Sequence, residues 1–355
     1  MKNVEKLFTS KSNTIEEVIA VIQKGAKGIA LIVDQQQRLI GTVTDGDIRR
    51  AILAKIDLKD KITSIFEQHC IGYNKPIAAL IGVSREEILK IMGEKSVRHV
   101  PLLDKAGRVK DLAWISDLIE DDPGLQLTAI VMAGGKGRRL HPFTKDTPKP
   151  MLPLSNRPLM ERTIERLREC GIKKVHISTH YKPEAITNHF GNGNNFGVDI
   201  GYINEDQPLG TAGALSLMES PHGPTLVING DVLTQLDFRA MHDFHNSHKA
   251  VMTVGVRKCD LEVPYGVIET NNVDIVNLVE KPIQTFLVNA GIYLLEPIAY
   301  KYIPKNHNFD MTELVEALIE AGQRVISFPI QEYWLDIGHP EHYQKAKEDV
   351  KNGKI

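Results

Sequence analysis

Apolar residues recur along the chain in two different rhythms, and the change falls near residue 128. Before it, one pattern occurs twice. Residues 14–50 lie over residues 84–120 at a constant offset of 70, without a gap. TIEEVIAVIQ aligns with SREEILKIMG, and GIALIVDQQQRLIGTVTDGDIRRAI with RHVPLLDKAGRVKDLAWISDLIE. The same offset pairs Glu17 with Glu87, Asp34 with Asp104, Arg38 with Arg108 and Asp47 with Asp117. Val18 and Ile22 in one copy, and Ile88 and Ile91 in the other, have helical spacing. The runs IALIVD and HVPLLD read as short buried strands, and QQQR and KAGR as the turns that follow them. Each copy therefore predicts helix, strand, turn, strand, helix. The last helix opens near Asp47 or Asp117, where a carboxylate complements the positive end of the helix.

Beyond a short joint, DDPGLQL at 121–127, the rhythm changes. Strand-like runs at 128–133, 174–179 and 225–229 alternate with helical stretches at 157–170 and 210–219. Such alternation predicts βαβ units and a largely parallel sheet. The later runs 250–256, 266–270, 272–280 and 289–295 crowd together and predict a mixed or added β-rich part. Residues 311–322 and 339–350 read as closing helices. The expected organisation is a duplicated module at 1–122 (repeats about 1–60 and 61–122), a linker at 123–127, and an α/β domain at 128–355.

Composition narrows the partners. The chain has 355 residues, 42% of them hydrophobic, 25% charged, with net charge −2. It is long enough for two or three cores. No global positive field exists, so neither nucleic acid nor an anionic membrane is an expected partner. The three cysteines, Cys70, Cys170 and Cys259, fit no metal or redox spacing and are expected as core filler in a reducing compartment. MKNVEKLFTSKSN lacks the apolar region of a signal peptide, and no stretch approaches ~20 apolar residues, so a cytoplasmic location is expected.

The candidate chemistry begins at residues 130–154, IVMAGGKGRRLHPFTKDTPKPMLPL, where an apolar run ends in glycines, cations and prolines. A dinucleotide fingerprint fails, because Gly135 and Gly137 are followed by Leu140 where a third glycine is needed. A Walker A loop fails as well, since Gly137 follows Gly135-Lys136 and position 130 is Ile. Glycines after a strand let main-chain N–H groups approach a base and triphosphate. Arg139 and Lys149 supply cations for phosphates, and the flanking prolines fix the backbone of Lys149.

The pattern G-G-x-G-x-R-L-x-P-x-T-x-x-x-P-K-P-x-L-P resembles the signature of the sugar-1-phosphate nucleotidyltransferases. Four further motifs stand in that family's order: EDQPLGTAGA (205–214), NGDV (229–232), VEKP followed by NAGIY (279–293), and WLDIGHPEHY (334–343). The resemblance implies a Rossmann-like, mostly parallel mixed sheet. It implies a nucleotide cradle of Ala133, Gly134, Gly135 and Gly137, with Glu205, Gly210 and Thr211 around the base. Asp231 and Asp336 would hold Mg²⁺, which favours one or two carboxylates plus phosphate oxygens. Gly230, Glu280, Lys281 and Asn289 would bind the sugar phosphate, and Arg139, Lys149, Asp231 and Lys281 would carry catalysis. The implied reaction is attack of a sugar 1-phosphate oxygen on the α-phosphorus of a nucleoside triphosphate, with pyrophosphate leaving. A phosphate monoester is already largely dianionic at pH 7, its second pKa being about 6, so no general base is required.

A carboxylate at Glu205 can only accept hydrogen bonds, which suits the adjacent N1–H and N2–H₂ donors of guanine. GTP is therefore the expected nucleotide. The first 120 residues are similar to a tandem CBS-domain (Bateman) pair, a module that often binds adenosine nucleotides, with GTVTDGDIRR (41–50) as its signature. That similarity assigns Thr44 to phosphate or ribose and Asp47 to the ribose hydroxyls. Trp114 replaces the threonine in the second copy. Such a pair ahead of such a transferase resembles the glucosamine-1-phosphate guanylyltransferases of bacterial legionaminic acid synthesis. Glucosamine 1-phosphate is thus the expected sugar. Mannose-1-phosphate guanylyl transfer and glucose-1-phosphate uridylyl or thymidylyl transfer are the alternatives. A homo-oligomer, dimer or higher, is expected.

Overall fold

The structure, a computed structural model, describes residues 4–68, 76–95, 97–118, 125 and 127–355. Cys70 and most of the expected 123–127 joint lie outside the described residues. Two compact units are present, Met1–Pro123 and Gly124–Ile355.

The first unit contains β1 (Phe8–Thr9), α1 (Ile15–Gly25), β2 (Ile29–Val33), β3 (Leu39–Thr44), α2 (Asp45–Leu53) and α3 (Thr63–Gln68). It continues with β4 (Ala79–Leu80), α4 (Arg85–Lys95), β5 (His99–Leu103), β6 (Val109–Trp114) and α5 (Ile115–Leu118). The bounds of α1 and α4, of β2 and β5, and of β3 and β6 differ by the offset of 70 read from the sequence. Each copy forms a three-stranded sheet, β1-β2-β3 and β4-β5-β6. In the first, Ile15, Val18 and Ile22 on one stripe of α1 cover Ala30, Ile32 and Val43 of the sheet.

The two copies meet through their turns. Arg38 bridges Arg108, the Leu39 N–H donates to Gly107 O at 3.1 Å, and the Val109 N–H donates to Gln37 O at 3.0 Å. The residues that the offset superposes are those that touch, so a pseudo-twofold axis passes between them. Val4, Leu7, Ile29 and Leu31 pack there with Val109.

The second unit begins with β7 (Thr128–Met132), a small hairpin β8 (Pro153–Leu154) and β9 (Arg157–Pro158), and α6 (Leu159–Glu169). Then come β10 (Lys174–Thr179), α7 (Pro183–Phe190), β11 (Asp199–Asn204), α8 (Gly210–Gly213), β12 (Thr225–Asn229), β13 (Val232–Thr234) and α9 (Phe238–Ser247). β14 (Met252–Glu262), β15 (Gly266–Asn271), β16 (Asp274–Glu280) and β17 (Ile283–Leu295) follow, then α10 (Met311–Glu320), β18 (Val325–Pro329), β19 (Trp334–Asp336) and α11 (Pro340–Lys351).

Seven strands form one sheet in the order β11-β10-β7-β12-β17-β14-β18. β17 alone runs against its neighbours; β7, β10, β11 and β12 are mutually parallel. Ala129, Ile130 and Val131 are fully buried in β7, as expected of a strand covered on both faces. The chain leaves β7 for β10 on one side and returns to β12 on the other. That makes β7 the switch point of the sheet, where ligands bind beyond the strand ends.

Three expectations need correction. The helix expected at 210–219 is only α8, followed by a 3₁₀ turn at Ala214–Leu217, because Gly210 sits at φ +79° and Gly213 presses on the 307–309 backbone. The apolar runs at 250–256 and 289–295 are the inner halves of much longer strands, β14 and β17. Cys170 is buried, but Cys259 is exposed on the outer part of β14 and is not core filler.

Candidate active site

Four strand ends lie level on one edge of the sheet. Met132 is in register with both Ser178 and Asn229, and Thr179 with Asn204. The loops that leave this edge carry most of the motif residues. Ala133 is tied down by its N–H to Ser178 O at 2.9 Å, and Gly230 by its N–H to Met132 O at 2.9 Å. Gly134, the exposed Gly135, and Gly137 continue from Ala133 into a 3₁₀ turn at Arg138–Leu140. The Thr144 hydroxyl closes this loop onto Gly137 O at 2.8 Å.

Among the cations of residues 136–149, Lys149 alone is buried. It lies in a 3₁₀ turn, Lys149–Met151, begun after Pro148. Its ammonium donates to Asp231 Oδ2. An unpaired ammonium at this depth would carry a large desolvation cost, and Asp231 offsets it.

Asp336 reaches the same place from the far end of the chain. β13 and β19 pair antiparallel with Val232 opposite Asp336, and the Ile337 N–H donates to Asp231 O at 3.0 Å. Burial pushes the Asp336 carboxyl above the usual range, and the charge of Asp231 adds to this. Lys149 and Arg139 pull the other way. Two carboxylates and two cations therefore share one field. Arg139 itself is exposed.

A hydrophobic cluster holds this arrangement from beneath. Leu140, Leu152, Leu233, Leu335 and Ile337 are buried together with Tyr343 of α11. The four leucines and Ile337 each stand within three residues of Arg139, Lys149, Asp231 or Asp336. Alternation along β19 buries Leu335 and leaves Asp336 toward the charged side. The Tyr343 hydroxyl clamps Pro153 O at 2.7 Å.

The residues assigned to the base are engaged within the protein. Glu205 is buried; Ser178 Oγ donates to its Oε1, and the Leu209 N–H donates to its Oε2 at 3.0 Å. It braces the loop after β11 against β10. A side chain at Gly134 would stand 2.9 Å from Glu205 Oε1, so glycine permits this approach. Thr211 donates to Asp310 Oδ1 and receives the Met311 N–H at 2.9 Å. A Cβ at Gly210 would lie 2.6 Å from Phe309 O. Ser178, His180, whose Nδ1 lies 2.9 Å from Glu205 O, and Asp310 were not legible as parts of this edge, because each gains its place only through strand register or a contact across many residues.

Glu280, Lys281 and Asn289 are not brought to the cluster as a group. Asn289 pairs with Val256, and the neighbouring Ala290 O accepts the Trp334 Nε1–H at 2.9 Å, two residues from Asp336. Glu280 and Lys281 are exposed, roughly 25 Å further along the strand at ~3.3 Å per residue.

The carboxylate pair suits a hard divalent cation completed by phosphate oxygens, and its crowded negative charge is what such a cation relieves. Among the described residues, no group of three or more His, Cys, Asp or Glu forms a full cage.

In the first unit, Thr44 and Asp47 form a reciprocal N-cap on α2. The Thr44 N–H donates to Asp47 Oδ2 at 2.8 Å, and the Asp47 N–H to Thr44 Oγ1 at 3.4 Å. At the equivalent place in the second copy, Lys27 Nζ sits 3.6 Å from the centroid of the Trp114 ring and 3.4 Å from Asp117 Oδ2. A cation from the first copy thus pairs with the ring and the carboxylate that stand where the first copy has Thr44 and Asp47.

A glycine loop at the switch point, with cations and paired carboxylates beyond it, defines a phosphate-handling α/β unit. The nucleotidyl transferase family profile matches residues 128–353, and the CBS domain profile matches residues 5–54. The chain belongs to the nucleotidyl transferase family and carries an N-terminal CBS domain. It is similar to the mannose-1-phosphate guanylyltransferase of Mycobacterium tuberculosis, 33% identical over 235 residues, 64% of this chain and 66% of that protein. It is also similar to the mannose-1-phosphate guanyltransferase of Candida albicans, 33% identical over 228 residues, 61% and 62% of the two chains. The chain thus spans just under two thirds of the length of these relatives. Among solved structures it resembles one described as a glucose-1-phosphate thymidylyltransferase from Bacillus anthracis (TM-score 0.52, 26% identity, 64% of this chain and 96% of that one). It also resembles HddC from Yersinia pseudotuberculosis (TM-score 0.50, 28% identity, 63% and 99%). No helix among the described residues is long and apolar enough to cross a membrane.

The raised carboxyl of Asp336 has a consequence for stability. Its folded-state pKa lies above the unfolded value, so ionisation at neutral pH opposes folding and the penalty disappears as pH falls below the carboxylate range. Asp336→Asn should raise Tm of the metal-free protein at pH 7 by about 1–2 °C, since solvent screens a half-buried pair, and by less at pH 4. Calorimetry at the two pH values checks both the sign and the trend.

Proposed function

We propose that the chain transfers a nucleoside monophosphate from a nucleoside triphosphate to a sugar 1-phosphate and releases pyrophosphate. The convergence of Lys149, Asp231 and Asp336, with Arg139 in the same field, is the observation that carries this reading. Ala133, Gly134, Gly135 and Gly137 would cradle the nucleotide with main-chain N–H groups, with Gly210 and Thr211 near the base and Gly230 near the sugar phosphate. Arg139 would neutralise the β- and γ-phosphates as they leave, and Lys149 would offset repulsion between the two anionic substrates. Asp231 and Asp336 would hold Mg²⁺, which supplies further charge neutralisation when bound. Glu280, Lys281 and Asn289 would bind the sugar phosphate. The attacking phosphate needs no base, so the residues act by alignment and charge rather than by proton removal.

GTP is the nucleotide this reading favours. Its support is the similarity to guanylyltransferases, because both carboxylate oxygens of Glu205 already accept bonds from within the protein. Glu205 would then act by bracing the base loop. Two sugars are proposed. Glucosamine 1-phosphate follows from the CBS–transferase arrangement, and mannose 1-phosphate from the printed activity of the similar proteins. In the first unit, an adenosine nucleotide would bind at Thr44 and Asp47; their counterparts Trp114 and Asp117 are already engaged by Lys27.

Pyrophosphate release across GTP, UTP, dTTP, CTP and ATP, each crossed with glucosamine, mannose and glucose 1-phosphates, tests this assignment. Turnover should be greatest with GTP and should stop when EDTA removes divalent metal. Arg139→Ala should lower kcat by roughly 10²–10³-fold, the usual loss on removing one charge-stabilising group. A chain inactive with every pair would refute the reading. Calorimetry checks the first unit: Asp47→Ala should weaken AMP or ATP binding at least tenfold, and no binding by the wild type would leave Asp47 only its capping role.

A further inference from the structure

The outer parts of β14 and β17, with the β15–β16 hairpin at their end, form one continuous two-stranded arm. β14 and β17 pair from Val256–Asn289 out to Glu262–Ile283; the Val263 N–H then donates to Pro282 O and the Lys281 N–H to Tyr265 O. β15 and β16 continue the pairing to Asn271–Asp274. At ~3.3 Å per residue the arm is about 50 Å long. Residues 274–280 and 283–289 are exposed without a break. Successive side chains point to opposite faces, so neither face is covered. Yet β16, DIVNLVE, and the start of β17, IQTFLV, place apolar residues side by side, the pattern of a strand buried on both faces. Twelve large hydrophobic side chains between Leu261 and Val288 are at least 37% exposed, with Val273 at 92%. A lone two-stranded ribbon is at best marginally stable in water.

We propose that the arm docks on a second copy of this chain and completes that copy's active site with Glu280 and Lys281. The inference rests on the proposed role of those two residues in sugar-phosphate binding. Three features select a second copy. First, the site at Lys149, Asp231 and Asp336 is incomplete within one chain, and the missing residues are carried on the arm. Reciprocal exchange restores one full set per site and closes with twofold symmetry. Second, twelve large hydrophobic side chains exposed on one arm form an apolar surface of the kind that an interface between copies buries. Third, the charges are complementary: residues 258–281 carry five carboxylates against two ammonium groups, and residues 136–149 carry five cations against one carboxylate. The pairing shift between Val254 and Val256, at the base of the arm, marks where the ribbon departs from the sheet.

Complementation tests the exchange. Lys281→Ala and Asp231→Asn chains, each with a different tag, are co-expressed and purified through both tags. Each parent alone should retain about 1% of wild-type activity or less. The mixed dimer should recover about half of wild-type activity, because the Lys281→Ala core receives an intact arm from its partner. Hydrogen exchange on the wild type is the second measurement. Residues 266–288 should be protected at micromolar concentration and lose protection on dilution to monomer. An active wild type whose mixed dimer stays inactive overturns arm exchange and leaves the proposed function standing. A monomeric wild type, or fast exchange of the arm at every concentration, also overturns it. A wild type inactive with every substrate pair removes both.

Discussion

The parallel pairing of β7 with β12 is the constraint on which the rest of the second unit depends. It sets Met132 level with Asn229, so the glycine loop and the Gly230-Asp231 turn leave the sheet at the same height. Lys149 then meets Asp231, 82 positions further along the chain, and β19 delivers Asp336 beside them. The charged groups are few, but the apolar residues that hold them are their close neighbours in sequence. Leu140, Leu152, Leu233, Leu335 and Ile337 form one cluster, so the geometry of the site and the stability of its floor are the same packing problem. A charge-rich centre of this kind opposes folding locally, as the raised carboxyl of Asp336 indicates, and the buried floor offsets it.

Much of this was legible beforehand, for reasons that can be located. The duplication at an offset of 70 was readable because both copies must bury the same helix stripe against the same sheet, and α1, β2 and β3 recur at that spacing. The runs at 128–133, 174–179 and 225–229 were readable as strands because burial on both faces leaves an unbroken apolar signal. The neighbourhood of Asp231 and Asp336 was suggested by resemblance alone, and the β13–β19 register supplies its physical cause. What stayed hidden depends on partners far away in the chain. Glu205 looked free to read a base edge, but Ser178 and the Leu209 N–H hold both its oxygens, and neither contact has a sequence pattern. Gly210 and Gly213 looked like the start of a base-binding helix. They also have a packing reason, the close approach of the 307–309 backbone.

The two units share one theme at different sites. In each, residues proposed to meet a ligand already have partners within the chain. Thr44 and Asp47 cap α2 reciprocally, Lys27 lies over Trp114 and pairs with Asp117, and Lys149 neutralises Asp231. Such internal partners keep buried polar groups paired when no ligand is bound, and a ligand must replace them with contacts at least as good. The outer β14–β17 arm is the exception, since its apolar faces have no such cover among the described residues.

Asp231 and Asp336 together are the proposed metal seat, and the proposed reaction depends on them. Electron paramagnetic resonance of Mn²⁺ titrated into the protein with a non-hydrolysable GTP analogue addresses it without relying on turnover. The account predicts one bound Mn²⁺ per chain in the wild type and at least a tenfold weaker site when both aspartates are changed to asparagine. Undiminished Mn²⁺ binding by the double variant would contradict it.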